Sequence, residues 1–294
     1  REIRSFRRAV AGADRKIQVI YHNGALLNFV FPYEFLKETN VHGTVETLRL
    51  ACAGQPKYYH YVSSYSVYDT PNNKGKRVYE NDPLNTAHGF SLAYSETKWV
   101  SEKLVGIAQK RGLHTVIYRP GDITGAANGI WEMDDMVSRM IVGTIQMQAI
   151  PRTSYCMHMT PVDFVADAIC CISRKPEAMD QAFNLVNPEP VPVKKAVSYI
   201  RACDYPVRYI SFPAWKSKLK QADASENALT LLACLFESGT DANPGVLRHF
   251  IGKDTVYDCT KANLLLNQSG ISCPPVDEKL FAAYLNYFKK NGCI

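Results

Sequence analysis

Tyr94 and Lys98 are spaced so that together they could carry out proton-transfer chemistry. Residues four positions apart share one face of a helix, and SLAYSETKWVSEKLVGIAQKRG has a helical pattern. An ammonium beside a phenol favours the phenolate and lowers the phenol pKa, and such a phenol can exchange a proton with a carbonyl oxygen. The same spacing recurs at residues 33–37 and 257–261, and a chain with 17 tyrosines produces such pairs by chance. The surroundings must therefore decide which pair is a site.

Serines follow the apolar and aromatic run YYHYV (58–62), and they could donate hydrogen bonds to a ligand. Ser63, Ser64 and Ser66 stand where this run ends and a polar turn begins. A serine at the carboxyl end of a parallel strand is well placed to meet a ligand carbonyl. The alternative is that it bonds only the backbone of its own turn. The other two Tyr-x-x-x-Lys pairs follow no such strand end, which favours Tyr94 and Lys98.

The elements that must position these residues alternate between strands and helices. Strands are predicted at Ile17–Tyr21, in YYHYVSSYSVY and in HTVIYRPGDITG, where Pro120 and Gly121 end the third strand. Long helices are predicted between them, the first ending near Gly54 and the second at Gly112. Such alternation predicts a doubly wound parallel α/β sheet of the Rossmann type, with right-handed crossovers. Functional residues should then lie at the carboxyl ends of its strands.

A smaller, mostly helical C-terminal domain is predicted to follow the tract PEPVPV. Before that tract, helices are predicted at Met133–Met147 and Val162–Ser173, and AFNLVNPE is predicted to be a strand. The later residues show a less regular pattern, namely Trp215–Leu219, a Leu-rich stretch Ala228–Phe236 and an amphipathic helix Glu278–Lys289. The predicted domains are therefore residues 1–187 and residues 188–294.

The composition excludes several classes of protein. The chain has 294 residues, of which 46% are hydrophobic and 21% charged, and these values exclude disordered, collagenous and coiled-coil chains. It contains neither a membrane-length apolar run nor a signal-peptide core, so no membrane contact and a cytoplasmic location are expected. Nine cysteines without a C-x-x-C pair favour free thiols and no metal site. The net charge of +6 is typical of a solvated surface, with a basic face for an acidic partner as the alternative.

The order of five segments resembles the extended short-chain dehydrogenases/reductases. These segments are HNGALLNF (22–29), NVHGT (40–44), VSSYSVY (62–68), YSETK (94–98) and YRPGDITG (118–125). The longer stretch HNGALLNFVFPYEFLKETNVHGTVETLRLA, with MTPVDFVADAI (159–169) and the ending LLLNQSGISCPPVDEKLFAAYLNYF, is similar to the thioester reductase domains. Those domains occur in non-ribosomal peptide synthetases, hybrid synthases, carboxylic acid reductases and aminoadipate reductases. The combination of segments, rather than any single one, is specific.

The resemblance implies that Ser64, Tyr94 and Lys98 are the catalytic residues. The family's catalytic Ser or Thr lies three residues before a Val, which places it at Ser64, before Val67. Ser64 and Tyr94 would then hydrogen-bond a thioester carbonyl, and Lys98 would bind the nicotinamide ribose and lower the Tyr94 pKa. The residues implied to border the cofactor, NADPH, are His22, Asn23, Gly24, Ala25, Lys98, Pro120 and Gly121. A purely structural role is the alternative for His22.

The implied function is the NADPH-dependent release of an acyl or peptidyl chain from the phosphopantetheine of a carrier protein. The product would be an aldehyde, and a second hydride could give the alcohol. The resemblance assigns cofactor binding to residues 1–187, and substrate binding and carrier docking to residues 188–294. A carrier domain is the expected partner, nucleic acid is not expected, and the domain is expected to be a monomer.

The sequence departs from the family's pattern at its beginning. The family binds the pyrophosphate at a Gly-rich turn that opens a helix, and neither G-x-G-x-x-G nor G-x-x-G-x-x-G occurs in this chain. We therefore expect the first βαβ unit to be missing from the sequence, through truncation or omission of a disordered stretch, or the domain to have lost cofactor binding. The preference for NADP or NAD cannot be read without that turn.

Three alternatives to a thioester reductase stay open at this point. The first is another extended short-chain enzyme, such as a nucleotide-sugar epimerase or dehydratase, which the segment NFVFPYE and the C-terminal ending disfavour. The second is a non-redox, Dieckmann-type cyclising release domain, which loses the tyrosine, so Tyr94 disfavours it. The third is a carrier-binding remnant without turnover. The sequence does not identify the acyl chain.

Overall fold

The fold is that of a computed structural model, which describes residues 17–85, 88–223, 227–237 and 255–294. In chain order, the strands among them are β1 (Val19–His22), β2 (Tyr58–Val62), β3 (Arg77–Val78), β4 (Thr115–Pro120), β5 (Asp122–Thr124), β6 (Ala149–Pro151), β7 (Cys156–Met157), β8 (Met159–Pro161), β9 (Gln181–Leu185), β10 (Val191–Pro192), β11 (Arg208–Ile210) and β12 (Val256–Tyr257). The α-helices are α1 (Tyr33–Lys37), α2 (Gly43–Cys52), α3 (Ala93–Lys110), α4 (Met136–Met147), α5 (Val162–Ile172), α6 (Val193–Ala202), α7 (Phe212–Gln221), α8 (Ala233–Glu237), α9 (Thr260–Asn267) and α10 (Glu278–Lys290).

The central sheet is parallel and has the strand order β1-β2-β4-β9. Alternate residues of each strand point to opposite faces, so the two faces have separate cores. Tyr59, Tyr61 and Ile117 pack with residues of α2 and α3 on one face. Tyr118 and Phe183 pack with residues of α5 and α9 on the other face. The doubly wound α/β sheet expected from the alternation of strands and helices is therefore confirmed.

The first predicted helix is interrupted. The chain forms α1, then a π-helical turn at Glu38–His42, and then α2. This helical stretch ends at Cys52, and Gly54 follows with a φ of +64°, a conformation in which glycine has no Cβ penalty. The second helix, α3, ends at Lys110 and is followed by Gly112 with a φ of +98°. Both predicted helix ends are thus confirmed to within two residues.

The third strand ends where Pro120 was expected to end it, and a further short strand follows. The chain continues into β5, which pairs in parallel with β8. Helix α4 begins at Met136, three residues later than predicted, because Asp135 caps it. The Asp135 Oδ1 accepts a hydrogen bond from the Ser138 backbone N–H at 2.8 Å, and such a cap fixes the first turn of a helix.

A third hydrophobic cluster joins α4, α6 and α10. It includes Ile141 of α4, Val197 of α6 and Phe281 of α10. This cluster contains residues from both sides of the predicted boundary at residue 187, since α4 precedes that boundary and α6 follows it. The division at that residue stays a prediction. None of the described helices is both long enough and apolar enough to cross a membrane.

Candidate active site

Ser64 lies where β2 has ended and a short 3-10 turn, Tyr65–Tyr68, begins. Its backbone is extended, with a φ of −155°, and its Oγ accepts a hydrogen bond from the Ser66 backbone N–H at 3.2 Å. The two hydroxyl oxygens of Ser64 and Ser66 are 2.9 Å apart. The hydroxyl of Ser64 is therefore used in its own turn. A hydroxyl that accepts one hydrogen bond can still donate another to a ligand.

Lys98 lies one turn into α3, and its ammonium points at the end of β2. The side chain is buried, and its Nζ donates a hydrogen bond to the Val62 carbonyl oxygen at 2.6 Å. The same Nζ lies 4.5 Å from the centre of the Tyr61 ring, within the range of a cation–π contact. Burial lowers the pKa of Lys98 to about 7, against the opposing charge of Glu102. The Lys98 ammonium is therefore held at the carbonyl of Val62, which lies two residues before Ser64 in the chain.

Tyr94 lies in the first turn of α3, and its phenol has a higher pKa than we expected. Burial raises the pKa of Tyr94 to about 12, whereas the sequence predicted that Lys98 would lower it. In this structure the shift has the opposite direction to that prediction, because burial disfavours the charged phenolate. At neutral pH Tyr94 keeps its proton and is a hydrogen-bond donor.

The three side chains meet on the wall of one cavity of about 340 Å³. The cavity lies at the carboxyl ends of β1, β2 and β4, the edge of a parallel sheet where ligands bind. The predicted site residues on its wall are Asn23, Ala25, Ser64, Tyr94, Lys98, Pro120 and Gly121. The structure therefore brings residues predicted for catalysis and residues predicted for cofactor binding to a single cavity.

The other two Tyr-x-x-x-Lys pairs do not place both side chains on this wall. Neither Tyr33 nor Lys37 lines the cavity, and Lys37 pairs with Glu34 at 3.4 Å instead. Tyr257 lines the cavity, but Lys261 does not. All three pairs lie in described residues, and the pair in α3 is the one whose two side chains reach the cavity. The pair favoured by its preceding strand end is thus the pair whose two side chains line the cavity, and its catalytic role stays a prediction.

Comparison with known proteins identifies the family. An NAD-binding family described as Male sterility protein matches residues 8–169. The crystal structure of the terminal R domain from the myxalamid PKS-NRPS biosynthetic pathway is 36% identical, with a TM-score of 0.86 over 97% of this chain and 71% of that chain. This chain belongs to that NAD-binding family. Its similarity to that R domain agrees with the resemblance to reductase domains that the sequence segments indicated.

Two curated relatives of the reductase domain match over most of its length. One of the subunits of linear gramicidin synthase from Brevibacillus parabrevis is 33% identical over 283 residues, which is 94% of this chain and 5% of that protein. L-2-aminoadipate reductase from Saccharomyces cerevisiae is 31% identical over 289 residues, which is 92% of this chain and 21% of that protein. The chain therefore spans a small part of the length of these relatives.

The donor groups on the cavity wall fit the nicotinamide end of the cofactor that the family binds. Two hydroxyls, on Ser64 and Tyr94, and the ammonium of Lys98 line the same cavity as Pro120 and Gly121. The turn that would hold a pyrophosphate is not found among the 294 residues, which contain no Gly-rich motif. Among the described residues, no group of three or more His, Cys, Asp or Glu side chains is arranged to hold a metal ion.

Two of the residues predicted to border the cofactor are not on the cavity wall. His22 is buried, its Nε2 lies 3.0 Å from the Thr44 Oγ1, and its ring centre lies 5.5 Å from that of Tyr61. Burial, assisted by the charge of Lys98, lowers the pKa of His22 to about 4, so the ring is neutral at pH 7. These contacts are the ones expected if His22 has a purely structural role. Gly24 also lies off the wall, and a contact of either residue with the cofactor stays a prediction.

Gly121 has a packing role in addition to its place on the wall. A Cβ at this position would lie 2.7 Å from the Thr160 Oγ1 and 2.9 Å from the His158 carbonyl oxygen. Both distances are shorter than real Cβ contacts allow, so a side chain would push β8 away from the junction of β4 and β5. The glycine thus permits the close approach that forms this side of the cavity.

Sequence reasoning missed a part of the cavity wall that contains Tyr65, Asp122 and Tyr257. The Tyr65 hydroxyl donates to the Asp122 Oδ1 at 2.8 Å. The ring centre of Tyr65 lies 5.7 Å from that of His158 and 4.9 Å from that of Tyr257. Tyr65 directly follows Ser64 and Asp122 directly follows Gly121 in the sequence, and this adjacency could have identified both as site residues. Tyr257 carries no such signal, since β12 brings it to the site by pairing with β3.

The free energy of unfolding of Lys98→Met, relative to that of wild type, is expected to be higher near neutral pH than in alkali. The Lys98 pKa falls from 10.5 to about 7 on folding, so the unfolded chain binds the proton more tightly between these two values. The contribution of Lys98 to the free energy of unfolding of wild type is therefore greatest above pH 10.5. It decreases as the pH falls and is lost below about pH 7. Relative to wild type, the free energy of unfolding of Lys98→Met should rise by up to about 1.4 kcal/mol per pH unit as the pH falls through this window.

Urea unfolding of wild type and Lys98→Met from about pH 10 to about pH 6 measures this difference. Lys110→Met, at the exposed end of the same helix, is the control for loss of a lysine from α3. A difference between Lys98→Met and wild type that does not change with pH would show that Lys98 is not buried as described.

Proposed function

We propose that this domain reduces an acyl or peptidyl thioester, held on the phosphopantetheine of a carrier protein, to an aldehyde with NADPH. The observation that carries the proposal is the shared cavity, on whose wall Ser64, Tyr94 and Lys98 lie together with the predicted cofactor residues. The names of the relatives support it, since one is part of a peptide synthase and another is an aminoadipate reductase. A structure titled as a thiolation-reductase di-domain, with the same fold, supports a carrier domain as the partner.

Ser64 and Tyr94 would act as donors to the thioester carbonyl oxygen. Negative charge develops on that oxygen during reduction, and donors that are already in place stabilise it. A phenol with a pKa of about 12 remains protonated at pH 7, so Tyr94 can donate a hydrogen bond and then a proton to the oxygen. When bound, the nicotinamide supplies the hydride. Loss of the carrier thiol from the reduced carbon then leaves the aldehyde.

Lys98 would hold the nicotinamide ribose. Its Nζ already donates to the Val62 carbonyl oxygen, which leaves two of its three donors for ligand hydroxyls. Because the side chain is buried and fixed at both Val62 and Tyr61, the position of a ribose bound to it would also be fixed. In this role Lys98 positions the cofactor, whereas Tyr94 contacts the reacting oxygen.

The rest of the cavity wall is suited to an acyl chain. Its volume of about 340 Å³ is within the usual range for small-molecule sites. The apolar side chains on the wall include Leu27, Phe29, Leu92, Ile123, Met136 and Val137. Met136 and Val137 belong to α4, whereas the described residues after 187 contribute Thr255 and Tyr257. The proposal that residues 188–294 bind the substrate and the carrier therefore needs α4 as well.

Replacing Ser64 with Ala is expected to lower kcat for thioester reduction by about 10²-fold, the usual cost of one preplaced donor. Ser66→Ala is the matched control, because it removes a hydroxyl from the same turn and also from the same cavity wall. The assay follows NADPH consumption and aldehyde formation with an acyl-pantetheine thioester. Equal, small effects of the two changes would mean that Ser64 serves only its turn.

A further inference from the structure

A buried carboxylate lies among the elements that carry the proposed catalytic residues. Glu102, on α3, is 3% exposed. Its Oε2 accepts a hydrogen bond from the Ser63 hydroxyl at 2.5 Å. Its Oε1 accepts two from Arg119, from Nε at 3.0 Å and from Nη2 at 2.6 Å. One carboxylate thus connects the end of β2, the last residues of β4 and the middle of α3.

Each partner of this carboxylate is next to a residue of the proposed site. Ser63 itself lines the cavity and directly precedes Ser64, and Arg119 directly precedes Pro120. Glu102 itself lies four residues after Lys98 and therefore on the same face of the helix. Since the Lys98 ammonium is bonded to the carbonyl before Ser63, α3 is bonded to the end of β2 through two side chains, one turn apart.

We propose that Glu102 is a positioning residue that holds Ser64, Lys98 and the Pro120 side of the cavity in their working arrangement. This inference rests on the proposed function. It goes beyond it, because Glu102 is not on the cavity wall and acts through its neighbours. Displacing a reacting group by about 1 Å can cost 10²-fold in rate, so a residue that fixes the surroundings of Ser64 and of the bound cofactor has a large indirect effect.

The charges around Glu102 support a positional role over a purely stabilising one. The pair with Arg119 is almost fully buried, at 3% and 5% side-chain exposure, and a buried ion pair often adds little net stability compared with apolar residues. The guanidinium is also held from its other sides, 4.9 Å from the Tyr68 ring centre and bonded to the Glu80 carbonyl oxygen at 3.1 Å. These contacts hold the Glu102–Arg119 pair in one geometry.

Glu102 also acts on Lys98 through its charge. It favours the ammonium, against the burial that disfavours it. The other titratable groups that face Lys98 are His22, from β1, and Tyr61, from β2. His22 is neutral at pH 7 and Tyr61 keeps its proton, because burial shifts both pKa values towards the neutral forms. Glu102 is thus the anionic group near this ammonium among the described residues.

The test compares Glu102→Gln, Ser63→Ala and wild type in the NADPH-dependent thioester assay. Glu102→Gln should lower kcat by about 10²-fold, with a smaller change in KM for the thioester. It should also move the alkaline limb of the kcat profile by about one pH unit to lower pH, because the Lys98 ammonium loses its anionic neighbour. Ser63→Ala should lower kcat by about tenfold and leave the limb in place, since the charge of Glu102 remains. Glu96→Gln, on the same helix, is the control and should behave as wild type.

A second readout does not depend on turnover. The Lys98 pKa is followed by NMR of carbon-labelled lysine, with Lys98→Met used to assign the signal. It should fall by about one unit in Glu102→Gln. If Glu102→Gln does not fold, Ser63→Ala still tests the proposal, because it leaves the buried Glu102–Arg119 pair intact. If wild type shows no turnover, the proposed function fails, and the NMR shift alone decides whether Glu102 controls Lys98. Wild-type kcat in folded Ser63→Ala, or an unchanged Lys98 pKa in Glu102→Gln, would overturn the inference.

Discussion

Replacing Tyr94 with Phe is expected to lower kcat for thioester reduction by about 10³-fold, with little change in stability. The change removes one hydroxyl and keeps the ring. That hydroxyl has no hydrogen-bond partner among the described residues, and burial alone accounts for its raised pKa. Its loss therefore removes nothing that holds the fold together. What it removes is the group that donates to the oxygen as charge develops there.

The matched control is Tyr33→Phe. Tyr33 belongs to a Tyr-x-x-x-Lys pair of the same spacing, but it lies away from the cavity. Its change should leave kcat and KM at their wild-type values. Wild-type kcat in Tyr94→Phe, measured as NADPH consumption with an acyl-pantetheine thioester, would show that another group donates to the carbonyl.

Replacing Gly143 with Ala is expected to destabilise the domain by about 1 kcal/mol. Gly143 lies in α4 against a 3-10 turn, Ala228–Leu232. A Cβ there would lie 2.6 Å from the Leu229 Cγ and 2.7 Å from the Leu229 backbone nitrogen. A backbone atom cannot move aside by changing a rotamer, so the turn must shift, and overpacking of this kind costs about 1–3 kcal/mol. The cost exceeds the gain of about 1 kcal/mol that alanine brings to a helix.

Gly106→Ala provides the opposite expectation within the same protein. Gly106 is in α3, and an added Cβ there would meet no atom within 4 Å. This change should stabilise the domain by about 0.5–1 kcal/mol. Urea unfolding at a single pH measures both variants. A Gly143→Ala protein as stable as wild type would contradict the described packing of the turn against α4.

The positions of the strands, and the meeting of the proposed catalytic residues, follow from the sequence. Ser64 and Pro120 come after apolar runs that a βαβ pattern makes parallel and adjacent, and the carboxyl ends of such strands lie at one edge of the sheet. The i and i+4 spacing of Tyr94 and Lys98 then needs only that α3 begins near that edge. Local pattern and topology rules were sufficient for these residues.

The electrostatic state of the site could not be predicted from the same pattern. The Tyr94 pKa depends on how completely the phenol is desolvated, which is decided by packing from segments far along the chain. The same is true of Glu102, which the sequence analysis did not single out and which is buried against Arg119. The contact of the His22 ring with Thr44 of α2 was likewise not predictable from the local pattern.

The most direct test of the account follows the hydride itself. The domain is supplied with an acyl-pantetheine thioester and NADPH that carries deuterium at both C4 positions, both as these 294 residues and as the full polypeptide that its gene encodes. The account predicts an aldehyde with one deuterium on its carbonyl carbon, and one thiol released for each NADPH oxidised, in at least one of the two forms. Release of the acyl chain without deuterium, or no oxidation of NADPH in either form, would contradict it.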